Sequence, residues 1–270
     1  MVTTPKAGPA TSGCKPDWLL GDFIRPAGCR ESLVVQFIAR LPVVPGMRVL
    51  DLGCCSSAST LLNTRAQGCV TRATVSSTTG HRPNQTPSAK AILAGPDAQE
   101  DTVLPYPDAD FDLVLNFFGS VFGLRPELAA AEMTRVCKPG GTVALAGWIP
   151  LGLVAALFQS LDRHLGAVAN PPRALWEDEA GVRAWFGAGI ADLRVTRRTA
   201  RLCFPYPVTE TVEYFRRHVV SIHEHFAVLR PADHAALRQE LEAMFREHNM
   251  AGANATELQA DVLEVIGRRR

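Results

Sequence analysis

The run Arg48-Val49-Leu50-Asp51-Leu52-Gly53 constrains this chain more than any other segment. It is short, nearly all apolar, preceded by Pro45-Gly46 and closed by a glycine. Such a run reads as a strand buried on both faces, as in a parallel sheet. Glycine at its end permits φ > 0 and lets the backbone approach a ligand closely. Residues 69–75 (CVTRATV), 111–116 (FDLVLN) and 142–146 (TVALA) repeat the strand pattern.

Helical segments alternate with these strands. Residues 17–41 read as helical, with Leu33, Val34, Phe37, Ile38 and Leu41 at helical spacing. Residues 57–67 suit a short helix. Pro126 to Cys137 suits a longer one, begun by proline and stopped by Lys138-Pro139-Gly140-Gly141. The polar stretch 76–90, with Gly80, Pro83 and Pro87, shows no helical face. Strands alternating with helices predict an α/β chain: a mostly parallel sheet with helices on both faces. Beyond Trp148 the pattern predicts a helix over 151–165, an alternating strand over 192–204, a long helical pair over 208–250 and a last strand over 262–266. The expected organisation is a disordered start (1–16), a core (17–150) and an acceptor-side lid (151–270) packed on the same domain.

Charge excludes some partners. The 28 Lys and Arg against 27 Asp and Glu leave no basic footprint for nucleic acid or an anionic membrane. The longest apolar stretch, 149–157, is far short of the roughly 20 residues that span a bilayer. Seven cysteines follow no C-x-x-C or Cys/His metal spacing, so reduced thiols, a cytoplasmic location and no metal are expected. The terminal Arg268-Arg269-Arg270 reads as a solvated end.

VLDLGC (49–54), LPYPDADFDLVLNFFGSVF (104–122), ELAAAEMTRVCKPGGTVALAGWIPLG (127–152) and FPYPVTETVEYFRRHV (204–219) occur in an order that resembles small-molecule class I S-adenosylmethionine (SAM) methyltransferases. The resemblance implies a Rossmann-like fold with N-terminal and C-terminal helical lids. It also implies a SAM cleft at the carboxyl ends of the strands, touched by Asp51, Gly53, Asp97, Ala98 and Phe117. Asp97 and Ala98 fall in Gly95-Pro96-Asp97-Ala98, similar to the family's G-D-A with a proline inserted. Asn116 and Phe118 are expected in the same cleft. Asp22 falls on the N-terminal segment that commonly lids this cleft in the family, where it either faces the pocket or caps the helix.

The cofactor half departs from the family. The expected D-x-G-x-G-x-G loop is Asp51-Leu52-Gly53-Cys54-Cys55-Ser56-Ser57, with Cys55 and Ser57 in place of two glycines. A residue with a Cβ forced to φ > 0 costs about 1–2 kcal/mol. The acid that normally clamps the ribose aligns with Thr74, whose hydroxyl cannot form a charged bidentate contact. Losing that contact removes about 1.5–3 kcal/mol. Cys54-Cys55, near a helix start, suits either packing or a reactive thiol.

The acceptor half keeps its polar groups. A helix over about 209–229 would set Tyr214, His218, Ile222 and His225 near one face, with His218 a general acid or base. The alternative is that this face is core. His223 is expected on a solvated face. Arg216 and Arg217 are either solvent-facing or held for an anionic substrate group. The expected function is a methyltransferase-fold protein of small-molecule (natural-product) biosynthesis, with His218, Tyr214 and Asp22 performing elimination or ring closure and no cofactor. The alternatives are an active SAM-dependent methyltransferase and a non-catalytic partner subunit, with homo- or hetero-oligomers open.

Overall fold

The computed structural model describes residues 33–52, 62, 65–67, 70–76, 89–93, 103–117, 126–165 and 179–270. The strands are β1 (Val49–Leu52), β2 (Val70–Ser76), β3 (Ala89–Leu93), β4 (Phe111–Phe117), β5 (Cys137–Trp148), β6 (Ile190–Phe204) and β7 (Thr256–Arg269). They form one sheet in the order β3-β2-β1-β4-β5-β7-β6. The first five are parallel, and β7 runs antiparallel between β5 and β6. The α/β expectation holds.

The apolar alternation of the strands sorts the core into two faces. Leu50, Leu52 and Val114 pack with α2 (Pro126–Val136) and α4 (Glu179–Phe186) on one side. Val49, Leu113, Leu115 and Phe117 pack with Phe37 and Ile38 of α1 (Leu33–Ala39) on the other. In α2, Glu127 in the first turn and Arg135 in the last match the helix dipole.

The Pro-Gly-Gly stop differs from expectation. β5 begins directly at Cys137, which pairs with Phe111; the next pair is Leu113 with Thr142. The extra β5 residues bulge out, with Gly140 at φ +76°. Gly141 is needed for space: a Cβ there would stand 2.8 Å from Cys137 Sγ and from the Lys138 carbonyl oxygen.

Strand β7 is also far longer than the predicted 262–266. Its pairing with β6 runs from Ile190–Arg269 to Phe204–Thr256, whereas β5 ends at Trp148–Val262. The upper β6–β7 ladder therefore outruns the parallel strands by six residues of β7, about 20 Å at strand rise. Helices α3 (Leu153–Leu165), α5 (Val208–His218) and α7 (His234–His248) pack on this extension and build a separate core.

The predicted helical pair over 208–250 is three helices. Helix α5 ends where Val219 turns extended (φ −90°, ψ 110°), and α6 (Val220–Val228) starts after it. Pro231 then separates α6 from α7. The terminal arginines are not all solvated: Arg269 donates to the carbonyls of Arg135, at 2.8 Å, and of Cys137, where α2 meets β5.

Candidate functional site

In open α/β sheets, ligands bind beyond the carboxyl ends of the strands. Here those ends are Leu52, Ser76, Leu93, Phe117 and Trp148. Asp51, level with Arg72 of β2 and Leu115 of β4, is completely buried. Asn116 is buried near the end of β4. Phe117 is buried against Phe37, with ring centroids 5.5 Å apart. Gly53, Cys54, Cys55, Ser57, Asp22, Asp97, Ala98 and Phe118 lie outside the described residues. The stretch 76–90 does so too, apart from Ser76, which ends β2, and Ala89-Lys90, which open β3.

The register fixes the level of Thr74. Leu52, the last residue of β1, pairs with Ala73. Thr74 is thus the first residue of β2 beyond the end of β1, still paired with Ala91 of β3. This is the edge at which the resemblance calls for an acid. The sequence has a threonine at that position.

In the C-terminal half, α5 is tethered at its start by buried hydroxyls. Thr211 Oγ1 lies 3.0 Å from Thr256 Oγ1, which donates to the Tyr206 carbonyl at 2.9 Å. One turn further on, the Tyr214 and His218 rings stack at 4.6 Å between centroids, tilted by 43°. Phe204 (5.8 Å) and Tyr206 (6.3 Å) flank Tyr214. Both Tyr214 and His218 are half-buried.

The break at Val219 means that the expected face does not continue as one helix. Tyr214 and His218 stay together on α5. Ile222, on α6, is fully buried in the upper core. The side chain of His225 is outside the described residues. His223 is exposed, as expected, with Nδ1 3.2 Å from the Arg216 carbonyl oxygen. Arg216 is engaged: it pairs with Glu213 at 2.9 Å and lies 5.9 Å from the Phe226 ring centre. Arg217 is exposed.

Sequence reading missed the apolar pocket beside these residues. Its walls are Trp148, Leu153, Val154, Leu157, Phe158, Leu202, Phe215, Phe245 and Ala260. The only local signal is the wide apolar face of α3. The remaining walls come from other elements that only folding brings together.

Helix α3 is clamped to α7 near this pocket. Glu240 receives His164 Nε2 at 2.7 Å and pairs with Arg163. Burial raises the Glu240 carboxyl, but hydrogen bonds from Arg163 and His164 outweigh it and hold its pKa below the ordinary value. Cys137 is an inert thiol by contrast, since burial pushes it up to about 12. Among the described residues, no group of three or more His, Cys, Asp or Glu is placed to hold a metal ion. No described helix is long and apolar enough to cross a membrane.

The sheet order with an antiparallel β7 between β5 and β6, carrying helices on both faces, is the class I methyltransferase fold. Residues 50–145 match the methyltransferase domain family, so the resemblance read from the motifs is sound. An uncharacterized protein of Mycobacterium tuberculosis is 29% identical over 239 residues, covering 85% of this chain and 84% of the relative. A second uncharacterized protein of the same species is 25% identical over 201 residues, 72% of each chain. Among solved structures, the YcgJ protein of Bacillus subtilis superposes with a TM-score of 0.52 at 16% identity, over 88% of this chain and 97% of that one. The MccD protein gives 0.51 at 12% identity, over 88% and 96%. These structural likenesses are likenesses of fold.

Proposed function

We propose that this chain is a small-molecule enzyme built on the methyltransferase fold that performs proton-transfer chemistry, elimination or ring closure, in place of methyl transfer. The observation that carries the reading is Thr74, the first residue of β2 beyond the end of β1, where the resemblance calls for the ribose acid. Cys55 and Ser57 at two glycine positions of the first loop add to it. A neutral hydroxyl and two added side chains, at positions that the resemblance assigns to the cofactor, support weakened SAM recognition. The stacked Tyr214–His218 pair supports the acid–base half of the reading. In it His218 moves the proton, and the ring of Tyr214 holds the imidazole in place.

The test is calorimetry of the purified chain with SAM and with S-adenosylhomocysteine. The expected result is no saturable binding below about 1 mM, a weak-binding scale. Low-micromolar binding of either would refute the reading.

The second reading is SAM-dependent methylation of a small molecule. The match of residues 50–145 to the methyltransferase domain family favours it, because that span includes the altered loop. The same calorimetry, with the opposite outcome, supports it.

A further inference from the structure

We propose that the pocket at the end of β5 is an aliphatic subsite: the small molecule handled by this chain carries a short or branched alkyl end that seats there. The inference rests on reading the cleft as a small-molecule site, and it names the chemical class of the molecule.

Trp148 closes β5 at the carboxyl edge of the sheet, and it packs against both the upper core and the core under α1. The pocket begins at that tryptophan and runs between α3 and the upper β6–β7 ladder. One of its walls, Trp148, therefore stands at the edge where α/β sheets bind ligands.

The walls are apolar throughout. Apart from the Trp148 indole nitrogen, no lining side chain carries a polar atom. A hydroxyl or charge placed deep in the pocket would lose its water without gaining a partner. An alkyl group loses nothing by the same transfer and gains contacts.

The cavity is about 60 Å³. An apolar protein cavity that accepts benzene measures roughly 150 Å³. This smaller pocket thus takes the tip of a chain and excludes a ring system. Packed cores leave few voids larger than a water, so a gap of this size among large side chains needs a structural cause. The cause lies in β7: Ala260, buried and lining the pocket, presents a single methyl where a larger residue would fill the space. Phe215 and Phe245, which also line the pocket, meet edge to face at 5.0 Å and 79°.

The experiment is titration of the full chain with n-alkanols from methanol to octanol, followed by calorimetry, with 1,4-butanediol as the polar control. Affinity is expected to rise about fourfold per added methylene until the cavity is filled, and then to level. Ala260→Leu fills the floor and is expected to lower affinity at least tenfold. Octanol binding no better than the diol, or a series unchanged by Ala260→Leu, would overturn the proposal. If Ala260→Leu does not fold, a wild-type crystal under xenon decides: a xenon peak between Trp148 and Phe245 supports the subsite, and its absence rejects it. The alkanol series involves no SAM. Tight SAM binding would therefore refute the proton-transfer reading and leave the subsite intact, whereas a flat alkanol series would remove the subsite alone.

Discussion

Replacing Gly141 with alanine tests the turn that sets the register of β5. The added Cβ would stand 2.8 Å from Cys137 Sγ, 2.8 Å from the Lys138 carbonyl oxygen and 2.9 Å from the Asp112 carbonyl oxygen. Two of these three atoms are backbone, and Asp112 belongs to β4, so relief requires moving a strand. Overpacking of this kind costs about 1–3 kcal/mol. The bulge cannot widen freely, because Lys138 Nζ holds Asp112 Oδ1 at 2.7 Å and Arg269 holds the Cys137 carbonyl. The expected loss therefore lies toward the upper end of that range. For a domain near this size each kcal/mol moves Tm by about 2–4 °C. The assay is urea unfolding followed by far-ultraviolet circular dichroism, with the slope m compared between variants. Gly252→Ala is the matched control: nothing lies within 4 Å of its added Cβ. It is expected to be neutral or to stabilise by up to about 1 kcal/mol through the unfolded chain. A Gly141→Ala protein within about 0.5 kcal/mol of wild type, on the usual scale of surface changes, would refute the steric argument.

Other perturbations have defined outcomes. Glu264 is only 5% exposed and pairs with Arg40 of the segment after α1 and with Arg198 of β6, the latter at 2.8 Å. Glu264→Gln is expected to lower stability by about 1.5–3 kcal/mol in urea unfolding, since both arginines keep some access to water. A smaller loss in the Arg40→Ala background would show the pairing directly in a double-mutant cycle. The carboxyls of Asp112, Glu240 and Asp261 sit below their ordinary pKa values. Burial opposes the effect at Asp112 but Lys138 and the Arg48 amide outweigh it, and Arg197 leads it at Asp261. A lowered folded-state pKa gives stability that is present above the unfolded value near 4 and is lost as pH falls through the folded value. Urea midpoints should thus drop below about pH 4, and Asp112→Asn should flatten that drop. Cys137, buried and pushed up to about 12, should resist iodoacetamide at about pH 8 in the native protein and react in urea, as read by peptide mass spectrometry.

Strands β1 and β4 were legible in the sequence because they are buried on both faces. Val49–Leu52 and Phe111–Phe117 are nearly continuous apolar runs, and no other placement hides them from water. The limits of α2 were legible for a local reason as well: Pro126 and Arg135 suit the two ends of a helix by position alone. The break at Val219 was not, because Ile222 and Phe226 enter the upper core only if the chain turns there, and that core is made by α3, α7 and β7. The length of β7 was hidden for a similar cause. Its upper half pairs only with β6, across Leu202–Leu258 and Phe204–Thr256, and nothing local separates it from the loop before it. The departures from the resembled family's pattern are a matter of residue type and were readable outright at Cys55, Ser57 and Thr74. The structure added the level of Thr74, which depends on the partner strand. Sequence periodicity determined which residues must be hidden. Tertiary pairing alone decided what they hide against, and so placed an apolar pocket between Ala260, Phe215 and Trp148, far apart in the chain.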